Sequence, residues 1–273
     1  MAGKKQGVYK RVIVEIFQSR YKKGDIEVAF GRDELTSAAQ KLQLKVPKNL
    51  GDMPYSFRFR DNFPSEISET APKGKTWTIE LDGKARYKFS LWDNSIARLI
   101  PRKDMQVIKI PDSTPEIVAC HRFSDEQALL AILRYNRLID IFLGITAHSL
   151  QNHLRTTVVA LNSSQIEIDE IYIGVDSEGK RYIVPVQAKG GTDQLAGPQI
   201  KQDLLWAAER FPEMQCHAVC AQFIDGGVIA LFKLDQTGGR LTVLDEKHYS
   251  LDREVGKVKP AGKVKTPRKL RNG

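Results

Sequence analysis

Residues 165–191 constrain the chain more than any other stretch. Gln165-Ile-Glu-Ile-Asp-Glu-Ile-Tyr-Ile-Gly174 and Tyr182-Ile-Val-Pro-Val-Gln-Ala-Lys189 are rich in β-branched residues, and the polar Asp176-Ser-Glu-Gly-Lys180 between them holds a turn-forming glycine. Together they read as a β-hairpin. Side chains alternate along a strand, so Glu167 and Asp169 share a face of the first run. Gln187 and Lys189 share a face of the second, with Ala188 turned away. Acids, an amide and a lysine thus gather at the end of an apolar hairpin, where unpaired charge would be costly to bury. Either this is the solvated face of an ordinary hairpin, or it is a site. Pro185 is at odds with a central strand, because proline suits edges and bulges.

The flanking segments add a pattern. Gly190-Gly191 and Thr192-Asp193-Gln194 make a loop, and Pro198 suits the first turn of a helix whose buried side is Ile200, Leu204, Ala207, Ala208 and Phe211. Gln199, Lys201 and Gln202 fall in its early turns, where free amides and the helix dipole favour phosphate. Cys216–Phe223, Val228–Lys233 and Leu241–Leu244 read as further strands. Upstream, Ser124-Asp-Glu-Gln127 forms a capping box for a long apolar helix to about Phe142, ended by Gly144. A second helix is expected from about Thr146 to Val158, carrying His148, Gln151, His153 and Arg155. Cys216, His217 and Cys220 are zinc-ligand types, but no second pair completes four ligands, so they read as core residues.

This arrangement resembles the PD-(D/E)xK, or restriction-endonuclease-like, nuclease superfamily. Its pattern is an Asp at one strand end and acid-x-Lys on the next strand, followed by a helix. Asp169 matches the Asp, and Gln187-Ala188-Lys189 stands where acid-x-Lys is usual, as in the Gln-x-Lys branch. Ile168 precedes Asp169, so the first motif is reduced to one Asp. The resemblance spans about 124–250, with 165–202 its specific part. It implies an α/β/α domain with a central mixed sheet that hydrolyses phosphodiesters with Mg²⁺, which Mn²⁺ can replace. Asp169, the backbone carbonyl of Ala188 and Gln187 would hold the metal, and Lys189 would position the attacking water. A second acid should lie nearby, from Glu167, Glu170 or Glu126; strand alternation favours Glu167.

The first ninety residues read as helix, strand, helix, helix and hairpin. Val8, Val12, Ile16 and Tyr21 mark a helical stripe, and Ile26–Phe30 a strand. Asp33 caps a helix from Glu34 to about Leu42, and another runs from Val46-Pro47 to about Phe59. Thr76–Leu81 and Arg86–Leu91 alternate around Asp82-Gly83, a strong hairpin signal. This order resembles a winged helix-turn-helix domain. The resemblance implies a last helix in the DNA major groove, presenting Lys48, Asn49, Tyr55, Ser56, Arg58 and Arg60, and a wing whose Lys84, Arg86 and Lys88 meet phosphate. A protein-binding module with a solvated basic face is the competing account.

Charge sharpens the partner. The chain of 273 residues carries 42 bases and 33 acids, a net charge of +9, and 41% apolar residues, which excludes global disorder. Eleven bases and no acids lie in residues 1–11 and 255–273, so the body has 31 bases against 33 acids. Two flexible basic ends of this kind suit a polyanion. The basic start has no apolar stretch behind it, no run could span a bilayer, and three cysteines suit a reducing cytoplasm. The expected organisation is a winged-helix-like domain (1–95), a connector (96–123), a nuclease domain (124–254) and a basic tail (255–273). The expected function is a type II restriction endonuclease acting on double-stranded DNA as a homodimer, since cutting both strands takes two sites. A non-catalytic DNA-binding regulator and a structure-selective repair nuclease are the alternatives.

Overall fold

The computed structural model describes residues 2–120, 125–190 and 193–252. The basic tail 255–273, Ser124 of the expected capping box, and Gly191 and Thr192 lie outside them. Apolar residues three and four apart shape α1 (Ala2–Arg20), burying Tyr9, Val12, Ile13, Ile16 and Phe17. The N-terminal bases Lys10 and Arg11 thus ride on a helix, not on a flexible end. β1 (Glu27–Gly31), α2 (Arg32–Lys41), α3 (Asp52–Phe59) and α4 (Ser65–Ser68) follow, then the hairpin of β2 (Lys75–Leu81) and β3 (Arg86–Asp93). β1 joins the hairpin antiparallel, giving the order β1-β3-β2. Phe17 meets Trp77 and Phe89 edge-on, each at 5.1 Å, in a core of its own. α3 starts later than Val46 because the Asn49 side chain accepts the Gly51 N–H (3.1 Å) and shapes a loop there. Lys48 and Asn49 therefore stand exposed ahead of the helix.

The expected connector is structured. It contains α5 (Asn94–Ala97), β4 (Arg98–Leu99), β5 (Val107–Pro111) and α6 (Glu116–Ala119). Next come α7 (Glu126–Tyr135), α8 (Leu138–Leu143), β6 (Thr146–Val158), β7 (Ser164–Val175), β8 (Arg181–Lys189), β9 (Leu195–Ala196) and α9 (Gly197–Arg210). The chain ends its described course in β10 (Gln215–Cys216), β11 (Ala218–Ile224), β12 (Val228–Thr237) and β13 (Arg240–Asp252). Eight strands form one mixed sheet in the order β5-β13-β12-β11-β8-β7-β6, with β10 also paired to β8. Alternate residues of its central strands pack on opposite layers. Val184, Val186, Val219 and Ala221 meet Leu129, Leu133 and Phe142 of α7 and α8. Ile183, Ala218 and Cys220 face the other way, into the clusters that Ile200, Leu204 and Trp206 of α9 enter. Among the described residues no helix is long and apolar enough to cross a membrane.

Three expectations are corrected. The long helix to Phe142 is two helices. Asp125 caps the first, accepting the Ala128 N–H (2.9 Å). Asn136 ends it: its amide donates to the Ile132 carbonyl (3.1 Å), and Arg137 turns left-handed at φ 48°. The helix expected over 146–158 is strand β6. Among the described residues it pairs only with β7, bulges at Leu150 and turns left-handed at His153, so it lacks the alternation that marks a half-buried strand. Pro185, in contrast, fits within central β8. On its β10/β11 side, β10 pairs Tyr182 and Ile183 and β11 resumes at Val186, so no ladder pair there needs a Pro185 N–H.

Candidate active site

The β7–β8 ladder stops at the Glu170–Val186 pair, and the two strands part beyond it. The Ala188 N–H donates instead to Asp169 Oδ2 (2.9 Å), so an acid side chain takes the place of a ladder bond at the fork. β8 then brings Lys189 to the start of α7, where its Nζ lies 3.2 Å from Glu126 Oε1 and 3.8 Å from Asp169 Oδ2. Gly190 permits this approach: a Cβ there would lie 3.1 Å from the backbone of Asp125 and Glu126. Asp169, Lys189 and Glu126 line one cleft of about 410 Å³, together with Glu167, Arg155, Gln199, Gln202 and, from the N-terminal unit, Tyr55, Arg58 and Phe59.

Burial raises the Asp169 carboxyl above its usual range despite the nearby Lys189 charge and the Ala188 N–H. Burial likewise raises Glu126, with the Asp169 charge adding to it and Lys189 opposing. Burial also works against the Lys189 charge, but the two carboxylates outweigh it and raise its pKa, keeping the ammonium protonated. Glu167, favoured as second acid from strand alternation, also lines the cleft, yet its carboxylate is held by Arg155 Nε (3.1 Å) and His153 Nδ1 (3.6 Å). Glu170 is completely buried on the α7 side, bonded to Ser149 and 3.3 Å from Arg134. Glu126 is thus the acid brought to Lys189.

The expected metal set is only partly assembled. Gln187 and Ala188 are buried and do not line the cleft. Gln187 is engaged at both ends: Nε2 donates to Asp203 Oδ2 (2.8 Å) and the Glu167 carbonyl (3.2 Å), and Oε1 accepts from Gln199 Nε2 (2.7 Å). Its amide oxygen is therefore already taken by Gln199, itself a residue of the cleft wall. Among the described residues no three His, Cys, Asp or Glu side chains cluster as a metal site. Asp169 and Glu126, two carboxylates whose buried charge a cation would relieve, do suit a hard divalent ion that keeps most of its waters. Gln187 does not.

Asp203 was missed by the sequence reading. It lies in the second turn of α9, completely buried, and burial drives its carboxyl well above the usual range despite the Gln187 amide. Its Oδ1 has no hydrogen-bond partner among the described residues. The signal that could have found it is its place four residues after Gln199, on the helix face that meets Gln187.

The residues expected to read DNA divide in two. Lys48, Asn49 and Lys84 are exposed. The others are drawn toward the large sheet. Arg58 Nη2 donates to Gln202 Oε1 (3.4 Å), Arg60 pairs with Asp193 (3.3 Å) and stacks over Tyr55, and Ser56 is buried. Lys201 is paired with buried Glu80 of β2 (3.2 Å) and lies over Trp92, so it is not free for phosphate. The reason is close docking of the two units. Arg98 bonds Asn62 Oδ1 (3.0 Å), Gln194 Oε1 (2.6 Å) and the Asp61 carbonyl (2.8 Å), while β4 pairs with β9. Gly197 opens α9 where a Cβ would collide with the Ile96 carbonyl and lie 2.9 Å from the Trp92 ring. Comparisons of the chain with protein-family models, with curated proteins and with solved structures find no match.

Proposed function

We propose that the protein is a divalent-metal-dependent endonuclease that hydrolyses phosphodiester bonds in double-stranded DNA. In this reading the large domain is restriction-endonuclease-like and the N-terminal unit is a winged-helix module docked on it. The observation that carries it is the fork between β7 and β8, which delivers Asp169 and Lys189 to one cleft beside Glu126. Asp169 and Glu126 would hold Mg²⁺ or Mn²⁺, with waters and a substrate phosphate completing its shell. When bound, such an ion neutralises phosphoryl charge and acidifies a coordinated water. Lys189 stays an ammonium, so it orients the attacking water and stabilises developing negative charge rather than acting as a base. As ligands of that ion Asp169 and Glu126 would be ionised, so the water's proton would pass to solvent rather than to either carboxylate. Cutting both strands calls for two copies of the site, and thus a homodimer.

The engaged amide of Gln187 favours a second reading, a DNA-binding regulator on the same scaffold. Methylated and unmethylated plasmids incubated with full-length protein and Mg²⁺ or Mn²⁺ separate the two. Nicks or double-strand breaks that disappear in Asp169→Ala support the nuclease. Sequence-selective binding with no cleavage in either metal supports the regulator, and preference for branched over linear duplex moves the assignment to repair.

A further inference from the structure

Among the described residues the cleft holds three cations, and two of them are neutralised: Lys189 by Glu126 and Asp169, Arg155 by Glu167. Arg58 differs. No ion pair to a carboxylate forms at Arg58 among the described residues; its guanidinium rests over the Phe59 ring at 4.8 Å, and its one hydrogen bond is the long one to Gln202 Oε1. Burial lowers its pKa to about 10, although Tyr87, Tyr55 and Glu80 oppose that shift. Its Nε has no hydrogen-bond partner among the described residues. Gln202 is 3% exposed, and because its oxygen is turned to Arg58, its remaining polar atom is the Nε2 amide, which also has no partner among the described residues. Two buried donors without acceptors therefore line the same cleft as Asp169 and Lys189. Such groups are costly to leave unpaired unless an acceptor arrives.

We infer that Arg58 Nε and Gln202 Nε2 form a phosphate-binding subsite of the cleft, taking a non-bridging oxygen of the DNA backbone. An anion there meets one full charge and a neutral N–H donor, and the Phe59 ring that carries Arg58 also lies 6.0 Å from Lys189 Nζ. The subsite is shared: Arg58 comes from α3 of the N-terminal unit and Gln202 from α9 of the large sheet's unit. This rests on the nuclease reading for its substrate but not for its chemistry. It also changes the role of Arg58, from a residue presented to the major groove to a holder of phosphate.

The test uses full-length protein and the variants Arg58→Met, Arg58→Lys and Gln202→Leu, with circular dichroism to confirm folding. Where wild type cuts plasmid, single-turnover rates decide. Arg58→Met should slow cleavage about 100-fold or more and Gln202→Leu about 10-fold, with Arg58→Lys between wild type and Arg58→Met. The slope of log affinity for duplex against log salt should fall by about 0.9, one phosphate contact, with the cut sites unchanged. Retained rate, or a changed set of cut sites, overturns the assignment. Where wild type does not cut, inorganic phosphate titrated by calorimetry decides. Saturable binding lost in Arg58→Met and in Gln202→Leu upholds the subsite while the nuclease reading falls. Binding that survives both substitutions, or none in wild type, overturns it. Should Arg58→Met fail to fold, Arg58→Lys and Gln202→Leu carry both arms.

Discussion

Gln187 and Lys189 stand two residues apart on β8, both beyond the last β7–β8 pair, yet their side chains end in different surroundings. Gln187 lies beneath α9, where Gln199 and Asp203 close around its amide. Lys189 has passed the helix and reaches the gap between Asp169 and α7. Both are at most 5% exposed, so burial does not separate them. What separates them is whether the polar partners close on one another, as Gln199, Asp203 and the Glu167 carbonyl do around Gln187, or leave carboxylates facing a cleft, as Asp169 and Glu126 do around Lys189. The first arrangement orders the strand end, and the second can act on a substrate.

Replacing each residue by an apolar side chain of similar size should split rate from stability. Lys189→Met should reduce single-turnover cleavage by about 100- to 1,000-fold, the usual effect of losing one preorganised electrostatic donor. It leaves Glu126 and Asp169 free to take up protons, so its thermal stability should change little. Gln187→Leu strands Gln199 Nε2, Asp203 Oδ2 and the Glu167 carbonyl. Its main effect should be a stability loss of about 1–3 kcal/mol per stranded buried group, read by urea unfolding. If Gln187→Leu instead proved inactive at full stability, the division between the two residues would collapse.

Gln187→Glu sharpens the same contrast, because it restores the acid that the superfamily pattern has at this position. A Glu there would replace a donor with a second carboxylate facing Asp203 Oδ2. Two such groups share a proton rather than both ionise. The variant should therefore be less stable than wild type at pH 8, recover toward pH 5, and bind Mg²⁺ no more tightly in calorimetry. Tighter Mg²⁺ binding would return position 187 to the metal shell.

The hairpin of β7 and β8, the helix after it and the order of the N-terminal elements were legible because each carries its own periodicity and turn chemistry. β6 was not legible. An edge strand with one neighbour, a bulge and a left-handed His153 has no buried face to impose alternation, and its polar residues read as a helix surface. The site was half legible: Asp169 and Lys189 declare themselves as charges in an apolar run, whereas the approach of Glu126 depends on Gly190 and on where α7 begins. The docking of α3 could not be read at all. Arg58, Arg60 and Lys201 look like any solvated basic face until Gln202, Asp193 and Glu80 arrive from 121 to 144 residues away in the chain.

The smallest expected effect concerns Asp203, on the Gln187 side of the comparison. Its folded carboxyl is held well above 3.8 by burial, so the folded state binds this proton more tightly than the unfolded chain does. That linkage favours folding below the unfolded pKa and is lost as pH rises through the folded value. At pH 8 wild type bears the cost either of an ionised buried carboxylate or of holding its proton against bulk solvent. Asp203→Asn keeps an oxygen to accept the Gln187 Nε2 hydrogen and removes the ionisable group. The variant should therefore gain stability at pH 8, by about 1 kcal/mol or ~2–4 °C in Tm for a chain near this size. The gain should shrink as pH falls, and vanish near pH 4. Thermal unfolding of both proteins from pH 4 to 9 checks the sign. A variant less stable than wild type at pH 8 would mean that the Asp203 charge is needed where it sits, and that the amide cluster belongs with the charged half of the site.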